Sequence, residues 1–368
     1  MHHRIVIKIG SSSLTSGGGE LNRDKITFYA DELHYLIQEG YQPVLVTSGA
    51  VAAGFRAIGY KSRPKALHEK QAAAAVGQAL LMQAYHEAFS RHGVSVAQIL
   101  LTRANFSNRN QIRNALRTIE ELLRVNTVPV INENDTVSVD ELKFGDNDTL
   151  SALVANLVKA EKLVIITDTD GLYTDDPHKN ENAKRIERVS EINEQIFRIA
   201  GGSGTEVGTG GMRSKIEAAR IAMLGGVPVF IGSATEPGDI LAAVKDSGKG
   251  TYFDTNWHTL SMKKQWIGFH SLPKGQITVD EGAEKALLNG GKSLLPAGVT
   301  AVSGDFHPGD VVEVLGLSGH PIGRGVVNYA SWQLQAAAGL SSDEVLKRLD
   351  VQRIEVIHRD EWMSLEHG

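Results

Sequence analysis

Cysteine is missing from all 368 residues, and tryptophan occurs only four times. Without thiols there can be no disulfide, no thiolate nucleophile and no cysteine metal site. Long apolar runs are missing too, since none approaches the roughly 20 residues that cross a bilayer. The opening segment, "MHHRIVIKIG", passes straight into a strand-like run and leaves no room for a signal peptide. A cytoplasmic protein with no membrane partner is the expectation. The familiar nucleotide motifs are missing as well. No G-x-G-x-x-G occurs, and the nearest approach to a P-loop, "GGKS" at 290–293, has Ala286 where the first glycine belongs. The 13 histidines show no ligand spacing, so no protein-held metal site is predicted.

What is present is an ordinary globular composition, 42% hydrophobic and 22% charged, in a chain long enough for two domains. The net charge of −5 is unevenly spread. From residue 273 onward 8 Lys+Arg oppose 13 Asp+Glu, whereas the first 272 residues carry 30 of each sign. The C-terminal region is the acidic part, and phosphate contacts need Lys and Arg, which argues against a nucleic-acid partner. Arg103, Arg109, Arg113 and Arg117 form a basic stripe in "RANFSNRNQIRNALR". With no aromatic platform beside them, they read as a solvated helix face or a subunit contact.

Over the first 250 positions short apolar runs alternate with helix-length segments. "RIVIKI", "PVLVTS", "VSVAQILL", "TVPVI", "KLVIIT" and "PVFI" look like strands buried on both faces. Between them lie helical patterns such as "DKITFYADELHYLIQEG" and "KQAAAAVGQALLMQAYHEAFSRHG", each stopping at a glycine. Alternation of this kind predicts an α/β fold, a mostly parallel sheet sandwiched by helices. Ligands then bind beyond the carboxyl ends of the strands, which puts residues 10–13, 48–50, 132–135 and 168–171 on one rim. After Phe253 the pattern changes. Residues 254–274 read as a packed connecting segment, and 275–355 as a small β-rich barrel-like domain followed by a C-terminal tail at 356–368. The catalytic domain is expected to span 1–253.

Three segments on that rim, "KIGSSSL", "VTSGAVAAG" and "GTGGMRSK", offer unobstructed backbone N–H groups, a geometry that suits anionic oxygens. Each glycine could serve only a tight turn, but three such segments on one rim point to an anion. The lysines sharpen this. Lys8 lies inside an apolar strand, where a charge is costly unless paired, although it could snorkel at the strand's end. Lys215 falls in the first turn of a helix, where the dipole disfavours a cation. Both placements make sense if an anion sits between them. Two adjacent loops, "INENDTV" and "KFGDND", are crowded with Asn132, Glu133, Asn134, Asp135, Asp146, Asn147 and Asp148. One helix cap would account for Asn147 or Asp148 and leave the others unexplained.

The motifs "KIGSS", "VTSGA", "PVINEND", "GDND-LSA", "TD--GLYT-DP" and "GTGGM--K", in this order and spacing, resemble those of the amino acid kinase family, and the C-terminal segment resembles a PUA domain. Within the family the likeness is to members that phosphorylate glutamate. It implies transfer of the ATP γ-phosphoryl group to the side-chain carboxylate of L-glutamate, giving L-glutamyl 5-phosphate, the first step of proline biosynthesis. Lys8 and Lys215 would grip the phosphates, with Mg2+ bridging nucleotide oxygens and Asp148 holding the two lysines. Backbone N–H groups of Gly10, Ser11 and Gly49 would hold the moving phosphoryl. Thr167 and Asp168 would lie in the ATP site with Thr209, Gly210, Gly211, Met212, Arg213 and Ser214. Ser214 stands where a threonine often precedes the lysine, and the hydroxyl is kept. Ser48, Gly49, Asn134, Asp135 and Asn147 would bind the substrate. The resemblance further implies proline as a feedback inhibitor, a homo-oligomer, and a glutamyl phosphate reductase partner that takes the labile product. Family members acting on other acids or on nucleotides, and an RNA-binding role for the C-terminal domain, are the rival readings.

Overall fold

Apolar runs with no polar alternation have to be covered on both faces, and the computed structural model shows how this chain does it. It describes residues 3–138, 147–175, 180–201, 211–255, 262–289, 291–349, 351 and 353–364. Two compact units divide the chain, Met1–Asn105 with Arg109–Thr259, and Phe106–Asn108 with Leu260–Gly368.

In the first unit, β1 (Arg4–Ile9), β2 (Gln42–Thr47), β3 (Ser95–Leu101), β4 (Thr127–Glu133), β5 (Lys162–Ile166), β6 (Arg188–Val189), β7 (Val229–Gly232) and β8 (Gly250–Phe253) form one sheet in the order β3-β4-β2-β1-β5-β7-β8-β6. All pairings are parallel except β7 with β8. β1 sits centrally, its Lys8 in register with Val46 of β2 and Ile165 of β5. Successive side chains of a strand point to opposite faces. Ile5, Ile7 and Ile9 thus join a core with Leu33 and Leu36 of helix Arg23–Gln38 and with Leu81, Tyr85 and Phe89 of helix Leu67–Ser90. Val6 and Lys8 turn to the other face, where Lys8 meets Asp148 of helix Asn147–Leu157. That helix is buried at every position but Thr149, as expected of one that is apolar nearly all round. β3 differs from expectation. It lies at the edge of the sheet, paired with β4 alone, and most of its residues are partly or fully exposed.

The second unit holds β9 (Gly275–Val279), β10 (Val299–Gly304), β11 (Val311–Leu315), β12 (Pro321–Val327) and β13 (Ile357–Ser364), ordered β10-β9-β11-β12-β13. Pairings are antiparallel except β9 with β11. Residues 357–364, expected to be a tail, instead form β13 against β12, and Ile357 and Trp362 close the unit's own core with Ile277, Val312, Val314 and Tyr329. No helix among the described residues is long and apolar enough to cross a membrane.

Candidate active site

Parallel strands end on one rim, and here the rim opens into a cavity of about 940 Å³ within the first unit. It is a volume suited to a small-molecule site. The turn after β1 contributes Gly10, Ser11 and Ser12. The turn after β2 brings Ser48 and Gly49, and the end of β4 brings Asn132, Glu133 and Asp135. β5 leads to Thr167 and Asp168, and helix Met212–Leu224 supplies Met212 and Lys215.

At its floor a carboxylate joins two lysines. Asp148 is fully buried, Lys8 is 3% exposed and Lys215 6%. Asp148 Oδ1 pairs with the Lys8 ammonium, and Oδ2 accepts from Lys215 Nζ at 3.2 Å and from Ser214 Oγ at 2.8 Å. Ser214 Oγ also lies 2.8 Å from Gly211 O, so the hydroxyl ties the start of its helix to Asp148. Desolvating an ion costs several kcal/mol, which only close pairing repays. Two ammonium groups against one carboxylate leave one positive charge in excess at the cavity wall. A Cβ on Gly10 would rest 3.4 Å from Lys8 Nζ, so glycine keeps the space over that ammonium open.

Beside this bridge stands a polar cluster built on Asn147. Its Nδ2 donates toward Ser48 Oγ at 3.0 Å, Asn132 Oδ1 at 2.8 Å and Thr47 O. Three oxygens around one nitrogen fix the orientation of the amide. Asn147 Oδ1 is buried with no hydrogen-bond partner among the described residues. Thr47 Oγ1 is 2.7 Å from Tyr85 OH, and burial pushes the Tyr85 phenol well above its ordinary range, so it stays protonated. Gly49 has φ +105°, a left-handed conformation that glycine adopts without strain, and it starts the short helix Ala50–Gly54. Asn134 heads a tight turn, its carbonyl accepting from Val137 N and Ser138 N. On the β5 side, Thr167 Oγ1 donates to Asp168 Oδ1 at 3.0 Å.

Of the residues singled out in the sequence, Lys8, Gly10, Ser11, Ser48, Gly49, Asp135, Asn147, Thr167, Asp168, Gly211, Met212 and Lys215 line the one cavity. Asp148 stands behind the wall, paired with its two lysines, and Ser214 donates to Asp148. Asn134 and the exposed Arg213 are not among the lining residues. Asp146, Thr209 and Gly210 lie outside the described residues. Sequence reasoning missed Arg63 and Lys70, which also line the cavity. Lys70 carried the same signal as Lys215, a cation in the first turn of a helix.

A central strand bearing a buried lysine, small-residue turns at the strand ends and a lysine–aspartate–lysine bridge make a site fitted to phosphoryl groups. The model of the Amino acid kinase family matches residues 3–233, and that of the PUA domain residues 275–349. The chain belongs to the amino acid kinase family and carries a PUA domain C-terminal to it. At closer range it is similar to curated proteins named glutamate 5-kinase. It is 49% identical over 363 residues to that of Bacillus cereus (strain ATCC 10987 / NRS 248), covering 98% of this chain and 99% of the relative. With that of Geobacillus kaustophilus (strain HTA426) it shares 51% over 363 residues, covering 98% and 97%. Among solved structures it resembles carbamate kinase from Giardia lamblia bound to AMP-PNP, with 16% identity and a TM-score of 0.51 over 69% of this chain and 99% of that one. That likeness extends to the fold alone.

Proposed function

We propose that the protein transfers the γ-phosphoryl group of ATP to the side-chain carboxylate of L-glutamate, the first step of proline biosynthesis. The observation that carries this reading is the Lys8–Asp148–Lys215 bridge, set in one cavity with the Ser48–Asn132–Asn147 cluster. A bond forms between a glutamate carboxylate oxygen and the γ-phosphorus while the bond from that phosphorus to the β–γ bridging oxygen breaks, and ADP leaves. The nucleophile is already ionised at neutral pH, so no proton has to be removed and no general base is needed. What remains is in-line positioning and compensation of charge on the transferring oxygens. Lys8 and Lys215 supply the compensation, and Asp148 sets their spacing. Backbone N–H groups at Gly10, Ser11 and Gly49 hold the moving group. Thr167, Asp168 and the start of helix Met212–Leu224 cradle the nucleotide.

The other end of glutamate is zwitterionic. Asp135 suits its ammonium, as does Asn147 Oδ1, which has no hydrogen-bond partner among the described residues, and Ser48 offers a donor to carboxylate oxygens, with Asn134 next to the lining Asp135. Among the described residues no three His, Cys, Asp or Glu groups gather. Mg2+ would come in with the nucleotide phosphates, with Asp168 the lining carboxylate on that side. When bound, the ion neutralises phosphate charge. Proline as a competing inhibitor, a homo-oligomer, a reductase that consumes the acyl phosphate and a cytoplasmic location complete the reading.

The test is ATP-dependent hydroxamate formation in hydroxylamine, comparing L-glutamate, N-acetylglutamate and aspartate with Mg2+ present. Signal with glutamate alone, lost in Lys8→Ala and Asp135→Ala, is the expected result. Signal with another acid moves the substrate, and silence with all three from folded protein refutes acyl-phosphate formation.

A further inference from the structure

Two cations in the cavity wall have no place in the phosphoryl-transfer step. Lys8 and Lys215 are tied to Asp148. Arg63 and Lys70 line the same cavity, both exposed, and neither side chain has a hydrogen bond or ion pair among the described residues. Lys70 is the fourth residue of helix Leu67–Ser90, as Lys215 is of helix Met212–Leu224. A cation there faces the positive end of the helix dipole. Glu69 shares the turn, but neighbours at i and i+1 do not face each other on a helix. Nothing in its own helix accounts for Lys70.

Its surroundings do. Gln71 Nε2 donates to Ser138 O at 3.1 Å, and Gln78 Oε1 accepts from Asn132 Nδ2 at 2.8 Å. These two bonds fasten the first half of the helix to both ends of the segment that carries Glu133 and Asp135. In the sheet, β4 lies on one side of β1 and β5 on the other. Lys70 therefore belongs to the β4 half of the cavity, with Asn132 and Asp135, and not to the β5 half with Thr167 and Asp168.

We propose that Lys70, together with Arg63, binds the α-carboxylate of the acceptor amino acid while Asp135 takes its α-ammonium. The inference rests on the proposed function, in which the acceptor is glutamate. Such an acceptor brings two carboxylates, and the lysine bridge serves only the reacting one. Its second carboxylate, left at the β4 end, would meet the like charges of Glu133 and Asp135. Arg63 and Lys70 offset them and make that end complementary to a zwitterion.

Hydroxamate rates measured with L-glutamate and with its α-amide, isoglutamine, test this. The amide keeps the reacting carboxylate and lacks the other charge. In Lys70→Met the KM for glutamate should rise about tenfold to a hundredfold, the loss of one charge-assisted hydrogen bond. The KM values for isoglutamine and ATP should barely move, so the preference for glutamate collapses. Lys70→Arg should restore part of it, and Arg63→Gln combined with Lys70→Met should abolish it. A double variant that keeps the wild-type preference overturns the inference and leaves the proposed function standing. Wild-type protein silent with glutamate overturns both.

Discussion

Asp148 has no water to fall back on. It is fully buried, and its two oxygens face Lys8 on one side and Lys215 with Ser214 on the other. Replacing it with asparagine keeps the volume and removes the only charge that Oδ1 and Oδ2 offer the two ammonium groups. Breaking a buried ion pair from one side costs about 3–5 kcal/mol. Asp148→Asn should lower stability by that order in chemical denaturation, and kcat should fall about a hundredfold or more, as when a preorganised electrostatic group is lost. An unchanged denaturation midpoint would sink the bridge as a structural element. Asp170 shows how pH enters. Burial works to raise its pKa, but the hydrogen bond from Tyr173 and the charges of Lys249 and Arg185 outweigh it, and the carboxyl sits below its ordinary value of 3.8. A carboxylate held low in the folded state stabilises above its unfolded pKa, and that contribution is lost as pH falls through the folded one. The stability gap between wild type and Asp170→Asn should therefore be flat from pH 5 to 8, and it should shrink below about pH 4. A gap independent of pH down to 2 would count against this pairing.

At the scale of elements, the turn that holds Ser48 is set by contact between two helices. A Cβ on Gly77 of helix Leu67–Ser90 would come 1.8 Å from Ala50 O, and one on Gly54 would come 2.0 Å from Ala73 O. Helix Ala50–Gly54 therefore lies backbone to backbone on its neighbour, and any side chain at this crossing forces the two apart. Overpacking of this kind costs about 1–3 kcal/mol. Gly77→Ala should lower the urea midpoint accordingly and raise the KM for glutamate through displaced Ser48 and Gly49, with the KM for ATP less affected. Equal effects on both substrates would show that the crossing does not position the acceptor side. Helix Met212–Leu224 is held in a similar way. Asn156 Nδ2 donates to Ile221 O at 2.9 Å, and a Cβ on Gly225 would strike the Asn156 amide. That lock keeps Lys215 opposite Asp148. Helix periodicity pointed to both helices. It held no trace of the close crossings, because a glycine inside a helical pattern looks the same whether it breaks the helix or receives a neighbour.

For the whole molecule, each unit closes its own core, the second around Ile277, Val312, Val314 and Trp362. The C-terminal region is acidic, with 8 Lys+Arg against 13 Asp+Glu from residue 273 onward. Affinity for nucleic acid comes mainly from neutralised phosphates and falls steeply with salt. The 368-residue chain should pass through a column of structured RNA without retention at physiological ionic strength, and Arg113→Ser with Arg117→Ser should change nothing. Retention that weakens with added salt would return RNA to the list of partners. Those arginines are exposed on helix Arg109–Arg124, whose apolar residues Ile119 and Leu123 are the ones it buries.

Alternation of apolar runs with 3.6-period segments was enough to specify a mostly parallel sheet between helices, because strand and helix burial repeat along the chain itself. The same logic made Lys8 conspicuous, a charge inside "IVIKIG", and made Lys215 conspicuous at a helix start. Local patterns carry no information about which strand lies at an edge, so β3 looked as buried as β1. Nor could they place residues 357–364, whose partner β12 lies some thirty positions upstream. The sequence pointed to an anion between the two lysines. The family resemblance already named Asp148 as the holder of both lysines, but local pattern did not, and the contact itself, across 140 residues to one and 67 to the other, is made by the packing of helix Asn147–Leu157 over β1. Contacts across such separations are decided by which faces must be hidden from water together, and that is a property of the folded chain.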